Sequence, residues 1–92
     1  MKLVASIVIA MTALTAQADQ CKDFGKAAAD VMEARQENVP MSTLMEITAK
    51  ELPAMKPVVI EAYKRPRYMT VEFRQKAIGD FRNQAELACY SK

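Results

Sequence analysis

The start of the chain limits how much of it has to fold. Lys2 is followed by an apolar run of twelve residues, Leu3 to Leu14. Thr15-Ala16-Gln17-Ala18 then closes on a small-x-small pattern. A short basic segment, a short apolar core and such a site are the marks of a secretory signal peptide. The run is too short to span a bilayer, which takes about 20 apolar residues. A polar stretch, Asp19-Gln20-Cys21-Lys22-Asp23, follows it. The chain is therefore expected to divide into a cleaved leader at 1–18 and one small helical domain at 19–92, found in the periplasm or outside the cell. Asp19 and Gln20 stand where a lipidation signal would need small residues, so Cys21 is not expected to be acylated.

Cleavage leaves 74 of the 92 residues, with 12 Lys+Arg, because Lys2 departs, against all 11 Asp+Glu. A formal charge of +1 selects no partner by bulk electrostatics. A domain this small sits near the lower limit for a self-sufficient core, and exported domains of that size often add disulfides. Both cysteines, Cys21 and Cys89, survive processing and stand near the two ends of what remains. A bridge between them would close a loop of 69 residues and add roughly 4 kcal/mol on the chain-entropy model. No Cys-x-x-Cys and no histidine are present to make a redox centre of them. The expected role is a structural disulfide.

The apolar residues recur with the helical period, and no hairpin signature occurs. A first helix is expected at about Gln20 to Glu37, with Phe24, Ala27, Ala28, Val31, Met32 and Arg35 on one face. Asn38 and Pro40 should end it. A second helix should start at Ser42 or Thr43, with Thr43 and Glu46 forming a capping box and Leu44, Met45, Ile47 and Thr48 turned inward. Pro53 stops it. A third, from Pro57 to Lys64, would bury Val58, Val59, Ala62 and Tyr63. Arg65-Pro66-Arg67-Tyr68 reads as a connector. Thr70 caps the last helix, Val71 to about Tyr90, with Glu72 in its first turn. Its stripe is Phe73, Ala77, Ile78, Phe81, Ala85 and Ala88, and Gly79 suggests close approach of another backbone. The expected fold is all-α. It is a small bundle of about four helices, two long and antiparallel (about 20–37 and 71–90) and two short, tied by one disulfide.

The chemistry is restricted by what is missing. Without histidine there is no Ser-His-Asp or Cys-His nucleophile, no His-ligated metal and no histidine pH switch. Asp30, Glu33 and Glu37 share one side of the first helix and read as a solvated face, with Lys26 and Asp30 as an i,i+4 pair. No calcium-type loop spacing occurs. Met32, Met41, Met45, Met55 and Met69 are expected mainly to fill the core. No cofactor and no metal site is expected, and no catalytic residue is assigned.

The most distinctive local feature is Lys64-Arg65-Pro66-Arg67-Tyr68, three cations and an aromatic in five residues. Lys64, Arg65, Arg67 and Tyr68 are the candidate partner-binding residues, Tyr and Arg being common anchors of interfaces. Export argues against nucleic acid as the partner. An envelope protein or an anionic envelope surface remains, and cleavage would leave nothing that spans a membrane.

Three stretches carry a resemblance. They are Ala29-Asp30-Val31-Met32-Glu33-Ala34-Arg35-Gln36, Val39-Pro40-Met41-Ser42, and Asp80-Phe81-Arg82-Asn83-Gln84-Ala85-Glu86-Leu87-Ala88-Cys89. They resemble a group of small exported helical proteins of proteobacteria and their prophages, without an assigned function. The resemblance implies a short exported domain, and the prophage link implies interference with the host envelope or with lysis. Cys21-Lys22-Asp23-Phe24 is also similar to the opening of the small periplasmic acid-stress chaperones, in which the second cysteine lies well inside the chain. The expected function is thus a non-enzymatic binding module of the cell envelope. The alternative is a periplasmic chaperone activated in acid.

Overall fold

The computed structural model describes residues 20–92, and the leader expected at 1–18 lies outside them. Helix α1 covers residues 20–36, α2 Met41–Glu51, α3 Lys56–Tyr63 and α4 Val71–Tyr90, with a 3₁₀ turn at Pro53–Met55 between α2 and α3. The fold is all-helical among the described residues, as the apolar period predicts. Cys21 and Cys89 form a disulfide with their Cα atoms 5.5 Å apart.

The long helices run antiparallel. Cys21 lies against Cys89, Gly25 against Glu86, and the end of α1 around Gln36 against Arg74 and Ile78. The α2–α3 segment folds across this pair. The core is where they meet: Ala28, Val31 and Met32 of α1, Met55 of the 3₁₀ turn, Val59 and Ala62 of α3, and Phe81 of α4. Leu44, Met45, Val58, Tyr63, Ile78 and Ala85 pack around it.

The helix ends follow local chemistry. Asn38 takes a left-handed conformation, φ 64°, which asparagine tolerates better than most side chains. The Asn38 amide donates to the Arg35 carbonyl at 3.1 Å and the Val39 amide to Ala34 at 3.0 Å, a Schellman closure of α1. At the start of α4, Thr70 accepts a hydrogen bond from the Phe73 amide at 3.2 Å, and Glu72 occupies the first turn. The cap satisfies one exposed amide of that turn, and the acidic residue complements the positive end of the helix dipole.

Four local expectations are corrected. Helix α2 begins at Met41, directly after Pro40, and no side chain caps it. Pro40 supplies the first helical carbonyl, to the Thr43 amide at 3.0 Å, so Thr43 already lies inside the helix and the capping box does not form. Ile47, Phe73 and Ala88 are exposed, because the core is narrow and few elements cover α4. Gly79 has nothing within 4 Å of where a Cβ would stand. The close approach is instead at Gly25, buried one turn from the disulfide, where a Cβ would overlap the Glu86 side chain. With glycine at this position the Glu86 side chain lies directly over the α1 backbone. Finally, Lys26 and Asp30 do not pair. The ion pairs among described residues are Lys64–Glu61, Lys76–Asp80 and Arg82–Glu86. An exposed pair gains little over hydration, so its absence costs the helix little.

Candidate functional site

The connector between α3 and α4 lies at the end of the α1–α4 hairpin opposite the disulfide. Its backbone has no helical or sheet ladder, so its polar groups need partners from elsewhere. Gln36, buried in the last turn of α1, supplies them. Its Nε2 donates to the Pro66 carbonyl at 3.0 Å, and its Oε1 accepts from the Tyr68 amide at 2.9 Å. The Met32 sulfur, 3.5 Å away, is a second acceptor for the same amide nitrogen. A side-chain amide has one donor end and one acceptor end, and Gln36 uses both to clamp the connector. The sequence offered one signal for it. Gln36 stands four residues after Met32 and eight after Ala28, a polar side chain on a buried stripe.

The cations of the connector divide into two groups. Lys64 pairs with Glu61 at 3.1 Å on the exposed face of α3, and Lys76 with Asp80 at 2.9 Å on α4. The Asp80 hydrogen bond, helped by its charge, raises the Lys76 pKa above its usual value. The arginines bond to neutral groups instead. Arg65 donates to Gln84 Oε1 at 2.7 Å, its guanidinium 5.5 Å from the centre of the Phe81 ring. Arg67 donates from Nε to the Gln36 carbonyl at 3.2 Å, and Arg74 from Nε to the Tyr68 carbonyl at 2.7 Å. Among the described residues Glu72 forms no ion pair with them. The three guanidiniums are thus held in place without an ion pair among the described residues, although Glu33 and Glu37 line the same groove as Arg74. Arg35 braces the same region from α1, its Nε 3.1 Å from the Arg65 carbonyl and its guanidinium 5.2 Å from the Tyr63 ring centre.

Of the residues singled out in the sequence, Lys64, Arg67 and Tyr68 are exposed and Arg65 is half-buried. The four are brought to one end of the fold, and Arg65 and Arg67 also brace it. Beside them stand three apolar side chains that composition and period placed in the core or passed over. Met69 is 90% exposed, Val71 72% and Phe73 57%. Tyr68 and Phe73 form a tilted aromatic pair with centroids 6.1 Å apart. Met32 and Met55 do fill the core, and Met69 does not. Asp30, Glu33 and Glu37 lie exposed on α1.

Two apolar grooves open elsewhere. One, of about 210 Å³, runs between α1, α3 and α4 and is lined by Phe24, Val58, Phe81 and Ala85. The other, of about 200 Å³, separates α1 from α2 beside Val31, Leu44 and Met55. Both are shallow continuations of the core, without a cluster of titratable groups. No helix among the described residues is long and apolar enough to cross a membrane. No family model, no curated protein and no solved structure matches the chain.

Proposed function

We propose that this chain is an exported, non-enzymatic binding module of the cell envelope, periplasmic or secreted, and that it engages its partner through the connector end. One observation carries the reading. Arg65, Arg67 and Arg74 are fixed by neutral acceptors, leaving their charge free to act outward on a frame braced by Gln36 and closed at the far end by the disulfide. Preorganised charge of this kind favours association, because little side-chain freedom is left to lose on binding. The expected leader supports export, and the resemblance to prophage-linked proteins supports interference with a host envelope.

The test is sedimentation of the purified protein with isolated envelope fragments, which contain both its proteins and its lipids. Substituting Lys64, Arg67 and Lys76 by Gln should lower the bound fraction by about tenfold while the circular dichroism spectrum stays that of the folded wild type, with Tm lowered only by loss of the hydrogen bond from Arg67 to the Gln36 carbonyl, worth about 1 kcal/mol. A folded triple variant that binds as well as the wild type would remove the connector from the function.

A further inference from the structure

The charge of the chain is divided unevenly. Residues 64–76 hold five cations, Lys64, Arg65, Arg67, Arg74 and Lys76, against one anion, Glu72. The rest of 19–92 holds seven cations and ten anions; of these anions Glu61 and Asp80 pair with Lys64 and Lys76, and Glu33 and Glu37 line a groove with Val71 and Arg74, so the local positive excess is carried by Arg65, Arg67 and Arg74, which form no ion pair among the described residues. The same segment carries Met69, Val71 and Phe73 at 90%, 72% and 57% exposure. These flank the cap residue Thr70, at the end of the molecule farthest from Cys21–Cys89.

We propose that this end is a lipid-binding tip, which inserts Met69, Val71 and Phe73 into the interface of an anionic bilayer while the arginines contact its headgroups. The proposal rests on the binding-module reading above and names its partner. Two features favour a membrane surface over an acidic protein. The tip combines an apolar wedge with a basic patch, the two signals that together give stable peripheral anchoring when neither suffices alone. Glu33 and Glu37, which line a groove with Val71 and Arg74, lie at the same end and reduce the attraction, which the three arginines outside ion pairs supply. Tyr68 and Phe73 supply aromatic rings where the hydrocarbon meets the headgroups, a depth that such rings favour. Glu72 opposes binding, and its place in the first turn of α4 offsets part of its charge against the helix dipole.

The experiment is co-sedimentation with protein-free vesicles, using the chain as its host processes it. Phosphatidylethanolamine vesicles with about 30% phosphatidylglycerol are compared with vesicles of zwitterionic lipid alone. The proposal expects at least about tenfold tighter partition onto the anionic vesicles, and a loss of about tenfold between 0.05 and 0.5 M NaCl as the charges are screened. It also expects M69S/F73S to lose at least about tenfold in partition, with Tm unchanged because both side chains are exposed. Salt and lipid composition serve as the charge arm, since Arg65, Arg67 and Arg74 also hold the connector. Equal partition onto both vesicles, or full binding by M69S/F73S, overturns the proposal, because anchoring then resides elsewhere in the chain. If the vesicles fail but binding to envelope fragments persists and is abolished by protease treatment of the fragments, the partner is a protein. The lipid tip is then wrong and the binding-module reading stands. If vesicles and fragments both fail, neither survives.

Discussion

Gln36 and Tyr68, 32 residues apart in sequence, are joined by a hydrogen bond of 2.9 Å from the Tyr68 amide to the Gln36 side-chain oxygen. That bond, with the reciprocal one from Gln36 to Pro66, ties the end of α1 to the start of the last turn before α4. The connector has no regular structure of its own, and Gln36 is the buried member of the set that holds it, beside the hydrogen bonds of Arg35, Arg65, Arg67 and Arg74.

Replacing Gln36 by Leu keeps the volume and removes both bonds. The Tyr68 amide and the Pro66 carbonyl lose their partner, which should cost about 2 kcal/mol. Hydrogen exchange gives a local readout as well as a global one. The Tyr68 amide should lose its protection under conditions in which the core amides of α1 and α3 keep theirs. Unchanged protection at Tyr68 would mean that the connector is held by other contacts.

The disulfide makes a larger contribution. Cys21 is fully buried, and the bridge closes a sequence separation of 68. Its removal in C21S/C89S should cost roughly 4 kcal/mol, a large share of the stability of a domain this small. Thermal unfolding followed by circular dichroism should show a fall in Tm of more than about 15 °C, matched by wild type in reductant. A shift of only a few degrees would mean that the core holds the helices together unaided.

The two glycines should behave oppositely. Gly79 is exposed in the middle of α4 with open space around it and no positive φ. Gly79→Ala should stabilise by about 1 kcal/mol, because alanine loses less backbone freedom in a helix. At Gly25 the same gain is opposed by displacement of Glu86, which is 3.4 Å from Arg82 in an ion pair. Gly25→Ala should therefore give no increase in Tm. A rise at position 25 equal to that at 79 would show that Glu86 moves aside freely.

Tyr63 links stability to alkaline pH. Its hydroxyl donates to the Val39 carbonyl at 2.5 Å. Burial raises the phenol pKa above its usual value, and the Arg35 charge opposes this. The folded state thus holds the proton more tightly than the unfolded chain, and the associated stability is lost as pH rises above about 10, the unfolded value. Tyr63→Phe should cost about 1 kcal/mol at pH 7 through the lost hydrogen bond. Denaturant titrations should then show the gap between the two proteins narrowing above pH 10. A gap that stays constant with pH would separate the hydrogen bond from the titration.

Much of the fold can be read from local signals. Asn38 and Pro40 end α1, Pro53 ends α2, Thr70 starts α4, and the apolar period locates Val31, Met32, Val59, Ala62 and Phe81 in the core. These follow from backbone sterics and from hydrogen bonds between near neighbours, which a linear reading contains. The errors arise where position depends on distant residues. Gly25 and Gly79 look alike in sequence, and only the approach of Glu86 separates them. Phe73 shares the period of Phe81, yet no element lies over it.

By itself, then, the sequence determined the helices, the closure of α1, the cap of α4 and the two cysteines available to tie them, because each depends on chemistry within a few residues. It also showed that Lys64, Arg65, Arg67 and Tyr68 form a basic cluster. Only the tertiary structure decided what that cluster faces. Packing α4 against α1 placed Gln36 under the connector and gave Arg65, Arg67 and Arg74 neutral acceptors. It also left Met69, Val71 and Phe73 in solvent beside them. The reason is one of size: a core of so few residues covers the middle of α4, and its ends remain outside.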